Sequence, residues 1–240
     1  MSYAIRMQDV TVRYQRNRKL GKKRFDALSN ITLDLRHGDK LGVIGRNGAG
    51  KSTLLRLMAG VFEPDRGSIE HHHGSVQLLA LGIGFVASLT GRENAVLSGL
   101  LQGVDRKKIV SNLDSIQAFS ELGDFFDEPL STYSSGMKAR LGFSVAIQQQ
   151  PDVLLIDEVL AVGDAGFKAK SVAALQEKMQ TISTLVIVSH DERIIRDTCN
   201  RVIRIENGRL VGEGDVESML KSYASESRNM NNTSDRTVRS

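Results

Sequence analysis

The alternation of hydrophobic and polar positions divides the first part of the chain into strands and one helix. Residues 3–14 and 27–36 alternate between apolar and polar side chains, and this period of two predicts two half-buried strands. The apolar run LGVIG at 41–45 predicts a buried strand, and KSTLLRLMAG at 51–60 predicts a helix that ends at its glycine. We therefore expect an antiparallel β-structure that is followed by a buried strand and a helix.

The pattern changes twice after this segment. From about 91 to 148 the apolar residues recur at helical spacing, whereas from 151 to 225 strands again alternate with helices. Alternating strands and helices predict βαβ units, so the predicted fold class is α/β, with an antiparallel β subdomain and an inserted α-helical subdomain at about 91–148. One domain is expected to cover 1–225, and the polar composition of 226–240 predicts a disordered tail.

Composition is that of an ordinary soluble protein. The 240 residues are 40% hydrophobic and 25% charged, and no apolar stretch reaches the roughly 18 residues that a membrane span needs. The first residues lack the layout of a secretory signal, and one cysteine, Cys199, suits a reducing compartment. We therefore expect a cytoplasmic chain that does not itself cross a membrane.

The net charge of +4 is distributed unevenly, because residues 16–24 hold six basic side chains and no acidic one. This pattern fits a solvated basic loop, and it also fits contact with nucleic acid or with an anionic membrane surface. The residues are Arg16, Arg18, Lys19, Lys22, Lys23 and Arg24.

The stretch GRNGAGKST at 45–53 carries the clearest chemistry, since it fits the pattern G-x-x-x-x-G-K-[ST] between a strand and a helix. Glycines let backbone N–H groups point at a phosphate, and the following helix adds its positive end. Lys51 is expected to reach the β- and γ-phosphates, and the Ser52 hydroxyl to bind Mg²⁺. The predicted ATP-binding residues of this loop are Gly45, Arg46, Asn47, Gly48, Ala49, Gly50, Lys51, Ser52 and Thr53.

Two further strand ends carry candidate catalytic residues. The buried strand in PDVLLIDE at 151–158 ends in two acids; Asp157 is expected to hold Mg²⁺ through water, and Glu158 to orient or deprotonate the attacking water. His190 follows the buried strand in TLVIVSHD, where a histidine can contact the γ-phosphate. The alternative is that the two acids only open a helix.

With these motifs, the chain resembles an ABC-type ATPase over roughly residues 3–225. The stretch YSSGMKARLGFSVA at 133–146 resembles the ABC signature Leu-Ser-Gly-Gly-Gln, in which Ser134 and Gly136 match while Tyr133, Ser135 and Met137 depart. The resemblance implies a P-loop NTPase (RecA-like) core. It also implies that two copies form a homodimer around two ATP molecules, in which the signature of one copy contacts the ATP of the other. The expected signature residues are Ser134, Ser135, Gly136 and Met137.

The resemblance assigns three further positions. Asp164 matches the D-loop at the dimer interface, and Tyr14 matches the aromatic residue that stacks on adenine, with Phe25 as a competing candidate. The family's Q-loop glutamine is missing, because its position holds Leu81, and Gln77 lies four residues upstream.

Three stretches, LGIGFVASLTGREN, YSSGM and IDEVLAVGDAGF, resemble the subfamily that exports lipid-linked cell-surface polymers. Its substrates are O-antigen polysaccharide, with capsule-like glycans and teichoic acids as alternatives. The resemblance implies a separate transmembrane permease, two of each subunit, and a peripheral location on the cytoplasmic face of the inner membrane. It also makes Leu20 and Gly21 a membrane-facing loop.

The sequence disfavours two other functions. A soluble ABC ATPase that acts on nucleic acid or ribosomes is disfavoured because the chain has one cassette and no sustained heptads. A scaffold that binds ATP without hydrolysing it is disfavoured by the presence of both Glu158 and His190.

Overall fold

A computed structural model describes residues 3–18, 21–72, 74–158 and 162–237. Within these residues the chain forms nine strands and eight α-helices. The strands are β1 (Tyr3–Arg18), β2 (Gly21–Arg36), β3 (Lys40–Ile44), β4 (Arg66–His71), β5 (Val76–Leu78), β6 (Val153–Asp157), β7 (Thr184–Val188), β8 (Arg201–Glu206) and β9 (Arg209–Gly214). The helices are α1 (Lys51–Met58), α2 (Gly91–Leu101), α3 (Arg106–Ser111), α4 (Leu113–Ser120), α5 (Ser135–Ile147), α6 (Ala165–Thr181), α7 (Glu192–Thr198) and α8 (Val216–Thr237).

The chain divides into two compact units. Unit 1 comprises Met1–Gly74, Leu155–Glu158 and Ser183–Ser240, and unit 2 comprises Ser75–Leu154 and Val159–Ile182.

The first sheet of unit 1 is antiparallel, with the strand order β2-β1-β4. Its alternation follows the sequence, since Ile5 and Met7 are fully buried and lie on the same face. The sequence predicts a loop at 16–24, and this prediction is wrong for the described residues. Strand β1 continues to Arg18, β2 begins at Gly21, and these two residues pair. Backbone pairing does not depend on side-chain charge, so the hairpin extends through the basic segment. Leu20 lies outside the described residues.

In the second sheet of unit 1, the strands β6, β7, β3, β8 and β9 lie side by side in that order. In unit 1, β3 pairs in parallel with both β7 and β8, while β9 is antiparallel to β8. Every residue of β7 is buried, as expected for a strand that is covered on both faces. Parallel pairing brings the carboxyl ends of β3, β7 and β8 to one edge of the sheet, where ligands bind in open α/β sheets.

Unit 2 is mainly helical, and its helices α2 to α5 fall within the 91–148 stretch. Thr90 and Glu93 form a reciprocal capping box that begins α2. Tyr133 is buried and donates a hydrogen bond to the carbonyl oxygen of Phe125 at 2.5 Å, and burial raises the pKa of its phenol to about 12. One hydrophobic cluster in the core of the unit consists of Ala95, Leu113, Ile116, Leu122, Phe126, Leu130, Tyr133, Leu141 and Val145.

The last helix, α8, continues past residue 225, so the segment 226–237 is helical where the sequence predicts disorder. An ion-pair cluster holds it to β8, because the buried Arg204 pairs with both Glu206 and Glu226. These carboxylates raise the pKa of Arg204 further above its ordinary value. Polar composition limits burial without preventing a helix that is anchored in this way. In the part of the chain that the structure describes, no helix has both the length and the apolar character to span a membrane.

The packing around Gly91 supplies a test of the core of unit 2. A Cβ at Gly91 would overlap the hydroxyl of Tyr133 and lie 2.9 Å from the carbonyl oxygen of Phe126. We expect Gly91→Ala to lower the free energy of unfolding by about 1–3 kcal/mol, although alanine is ordinarily the better helix former. Urea denaturation measures this loss. Tyr133→Phe in the same protein removes the obstructing oxygen and should recover part of it, whereas additive losses would contradict the assignment.

Candidate active site

A cavity of about 710 Å³ lies in unit 1, where β3, β7 and β8 end. It is lined by residues of the 45–53 loop, by the acids Asp157 and Glu158 at the end of β6, and by two aromatic side chains. Most of the residues that the sequence assigns to ATP therefore meet at one place.

The loop between β3 and α1 has a backbone that requires glycine. Gly45 has a φ of 149° and Gly50 a φ of 109°, which are left-handed values that other residues rarely adopt. A Cβ at Gly45 would overlap the carbonyl oxygen of Ile205, and one at Gly50 would lie 2.6 Å from the carbonyl oxygen of Ala27. Glycine is therefore required at both positions for the loop to pack against its neighbours.

The amino-terminal end of α1 is open to an anion. The helix begins at Lys51, its cap is Gly50, which has no side chain to accept hydrogen bonds, and its first turn holds no acidic residue. The first N–H groups of a helix lack partners within the helix, and the helix dipole makes this end positive. A phosphate supplies both the acceptors and the negative charge.

Lys51 is held over the same loop. Its ammonium is buried and donates to the carbonyl oxygens of Gly45 at 2.7 Å and Arg46 at 3.0 Å. Burial lowers its pKa, while the carboxylates of Glu158 and Asp157 oppose that shift. Both acids therefore act electrostatically on the lysine, as expected if all three face one ligand.

Glu158 and His190 contact each other, although His190 is not among the residues that line the cavity. Asp157 is the half-buried last residue of β6, and the exposed Glu158 follows it with its N–H donating to the carbonyl oxygen of Val188 at 3.0 Å. The Nε2 atom of His190 lies 3.3 Å from an Oε1 atom of Glu158. The predicted catalytic pair thus forms a direct contact.

The donor set at this edge fits Mg²⁺. The Ser52 hydroxyl and the Asp157 carboxylate both line the cavity, next to the loop that would carry the phosphates. Mg²⁺ prefers such oxygen ligands and keeps several waters, so a carboxylate that binds through water suits it.

Two aromatic rings line the cavity together. Tyr14 and Phe25 are paired across β1 and β2, and their ring centroids are 6.0 Å apart. Both rings are partly exposed, at 38% and 48% respectively, and Tyr14 also packs edge-on against Phe62. Either ring is available to stack on a base, so both candidates from the sequence remain open.

The sequence does not predict that the turn between β8 and β9 lines the cavity. Its residues Asn207 and Gly208 line the cavity, and the N–H of Gly208 donates to the carbonyl oxygen of Ala49 at 2.9 Å. Asn207 has a φ of 47°, which marks a tight turn. The Asn-Gly pair between two strands is a signal for a hairpin turn, but it does not indicate contact with the phosphate loop.

The signature residues lie in unit 2, around a separate cavity of about 430 Å³. Ser134 caps α5 by accepting a hydrogen bond from the N–H of Met137 at 3.2 Å, and Gly136 also lines the cavity. Asp164 lines it too and caps α6 through the N–H of Phe167. Ser135, the first residue of α5, is exposed.

Two other positions from the sequence lie in unit 2. The Gln77 side chain is buried and donates to the Oε1 atom of Gln102 and to the carbonyl oxygen of Ala146, both at 3.2 Å. Gln77 therefore does not take the place of the missing Q-loop glutamine, whose position holds the half-buried Leu81.

The phosphate loop, the acids after β6 and the signature helix together define an ATP-binding cassette. Residues 28–161 match the family described as ABC transporter. The chain belongs to this family.

Its relatives include exporters. The chain is 45% identical to "O-antigen export system ATP-binding protein RfbB" of Klebsiella pneumoniae, over 84% of this chain and 82% of the relative. It is 44% identical to "Teichoic acids export ATP-binding protein TagH" of Lactococcus lactis, over 84% of this chain and 43% of the relative. A solved bacterial ABC transporter cassette, described as dimeric, has a TM-score of 0.67 at 20% identity, covering 88% of this chain and 98% of that one. This last likeness confirms the fold class that the sequence predicts.

The backbone at Glu158 supplies a test of strain in the site. Its φ of 67° lies in the left-handed region, which costs a residue with a side chain about 1–2 kcal/mol. Glycine adopts this conformation without that cost, so we expect Glu158→Gly to unfold at a free energy about 1 kcal/mol higher than Glu158→Gln. Chemical denaturation of both variants measures the difference. The same two substitutions at Glu192, in the first turn of α7, should rank in the opposite order.

Proposed function

We propose that this ABC-type ATPase is the ATP-binding and ATP-hydrolysing subunit of an exporter for lipid-linked cell-surface polysaccharide of the O-antigen kind. The observation that carries the catalytic part is that Lys51, Asp157 and Glu158 line one cavity. The identity to the O-antigen export protein of Klebsiella pneumoniae supports the substrate class. Teichoic acid or a capsule polymer is the second candidate, because the identity to the TagH protein is nearly as high.

The loop and Lys51 bind the phosphates of ATP. The open end of α1, which has no side-chain cap, supplies N–H donors without requiring any rearrangement of side chains. The Lys51 ammonium exchanges its two carbonyl acceptors for phosphate oxygens. Ser52 and, through water, Asp157 would hold Mg²⁺, which neutralises charge on the phosphates when it is bound.

Glu158 and His190 act on the attacking water. A carboxylate one residue beyond Asp157 accepts a hydrogen bond from the water and takes its proton as it attacks the γ-phosphate. The contact with His190 orients that carboxylate. In this proposal an N–H of the imidazole donates to a γ-phosphate oxygen once ATP is bound. The exposure of both side chains leaves them accessible to water and nucleotide.

The signature residues complete the site of a second copy. Ser134 to Met137 form an open helix end in unit 2, and Asp164 lies beside them at the same cavity. A homodimer in which this end contacts the γ-phosphate of the partner subunit gives both features a use. The dimeric state described for a solved cassette of the same fold supports this arrangement.

Export requires a membrane partner. We propose a separate transmembrane permease, two copies of each subunit, and a peripheral position on the cytoplasmic face of the inner membrane. The long hairpin of β1 and β2 would face that membrane through its basic segment. The membrane-facing role of Leu20 and Gly21 is part of this proposal. Basic residues near an anionic surface contribute about 1 kcal/mol each to binding.

Hydrolysis is tested at Glu158. We expect Glu158→Gln to bind ATP with wild-type affinity and to lower kcat at least about 100-fold, because general base catalysis contributes that much. Phosphate release measures kcat, and a fluorescent ATP analogue measures binding. Lys51→Met, in contrast, should weaken binding itself. Retention of most of the turnover by Glu158→Gln would remove Glu158 as the base, and no hydrolysis by the wild-type protein would favour the scaffold.

The export assignment is tested by purification from membranes. Glu158→Gln, expressed in the native host with ATP present, should co-purify from detergent extracts with a polytopic membrane protein in about equal amount, as two-plus-two assembly requires. Mass spectrometry identifies the partner. Co-purification with ribosomal proteins or nucleic acid, without a membrane protein, would support the soluble ATPase instead. Accumulation of a lipid-linked polymer in cells that lack the chain would identify which polymer it exports.

A further inference from the structure

Arg140 occupies a position that the proposed function does not explain. It lies in α5, one turn after the signature residues, and its side chain is largely buried, with 18% exposed. It lines the same cavity as Ser134 and Gly136.

The guanidinium of Arg140 joins two acids from different segments of unit 2. One of its nitrogens donates to Asp164, the cap of α6, and the other lies 3.7 Å from an Oε2 atom of Glu121. Glu121 follows α4 and has a φ of 55°, so the chain reverses direction there. One side chain in the middle of α5 therefore connects this helix to the start of α6 and to the end of α4.

An aromatic ring also restricts the position of the Arg140 guanidinium. Arg140 lies 5.1 Å from the ring centroid of Phe167, which is buried and packs edge-on against the buried Phe143 of α5. The ring face attracts the cation and restricts where the guanidinium can lie. The arginine therefore has little freedom to move toward either acid.

A second cation holds Glu121 from the other side. Lys170 donates to the Oε1 atom of Glu121 at 2.7 Å and to the carbonyl oxygen of Phe119 at 2.9 Å. Two cations thus balance two carboxylates. Of the charged residues that line the cavity, Arg140 is cationic, while Glu121 and Asp164 are anionic. Loss of Arg140 would leave a cavity lined by two carboxylates, which repel a phosphate.

We propose that Arg140 is a positioning residue for the nucleotide of the second copy. Its guanidinium holds Ser134 to Met137 against Asp164 and neutralises the two carboxylates that line the same cavity. The inference rests on the proposed two-copy site. It adds that the signature functions only while this ion-pair cluster is intact.

The experiment measures dimerisation and local binding separately. In the Glu158→Gln protein, sedimentation gives the ATP concentration for half-maximal dimerisation. We expect Arg140→Gln to raise this concentration about tenfold or more, the size of a lost charge-assisted hydrogen bond. Arg140→Lys, which keeps the charge, should raise it less. At protein concentrations too low for dimerisation, the affinity of the Arg140 variants for a fluorescent ATP analogue should change less than about twofold. The reason is that the cavity formed by the 45–53 loop lies in unit 1, whereas Arg140 lies in unit 2.

Two further variants separate positioning from stability. Arg92 is the matched control, since it also pairs with a carboxylate, Asp127, and lies 4.9 Å from the ring centroid of Phe126 in unit 2. Arg92→Gln should leave the ATP requirement for dimerisation unchanged. Adding Glu121→Gln to Arg140→Gln removes one of the two carboxylates that line the cavity, and this double variant should recover part of the lost dimerisation.

The outcomes are distinct. An unchanged ATP requirement in Arg140→Gln, or an equal effect of Arg92→Gln, would overturn the positioning role while leaving the two-copy site intact. Failure of the Glu158→Gln protein itself to dimerise with ATP would overturn the two-copy site and the role of Arg140 with it. A tenfold effect with unchanged local binding and recovery by Glu121→Gln would support the proposal.

Discussion

The structure depends on the turn between β3 and α1, which must present the first N–H groups of α1, groups that have no partner within the helix. Unpaired donors are costly when they are buried, so the turn must stay accessible and still have a fixed shape. Contacts to its carbonyl side provide that shape, because Gly208 donates to Ala49 and Lys51 donates to Gly45 and Arg46. Three carbonyl oxygens of the turn thus have donors within the protein, and the first N–H groups of α1 suit a phosphate.

Charge near this turn is arranged around the same constraint. The helix end and Lys51 are positive, while Asp157 and Glu158 line the same cavity with the acceptors that a metal ion and a water require. Burial of Lys51 lowers its pKa, and the two acids offset that effect. A phosphate that reaches the turn therefore meets a charged lysine whose electrostatic partners are already in place. The left-handed backbone of Glu158 indicates that this placement is maintained against a local cost.

The sequence reveals those parts of the site that are encoded locally. The spacing of GRNGAGKST, and the acids that directly follow an apolar strand, identify the loop, Asp157 and Glu158 without any knowledge of tertiary structure. Contacts between distant segments could not be inferred in this way. Gly208 meets Ala49 only because β8 pairs with β3, and Arg140 pairs with Asp164 only because α5 packs beside α6. The strand extension through the basic segment was also hidden, since strand propensity does not reveal how far backbone pairing continues.

The departures of the signature from its consensus are compatible with the fold for separate physical reasons. Tyr133 fills the core of unit 2, and its hydroxyl is satisfied by Phe125, so a larger side chain is accommodated where the family has leucine. Ser135 lies at the first position of α5 and is exposed, so its Cβ meets no restriction that would require glycine. The contact that we propose between this segment and a phosphate would use the backbone N–H groups of the helix end, which the cap of Ser134 fixes in place. A helix end of this kind tolerates changes in its side chains as long as its orientation is maintained, and in this chain that orientation depends on residues outside the motif.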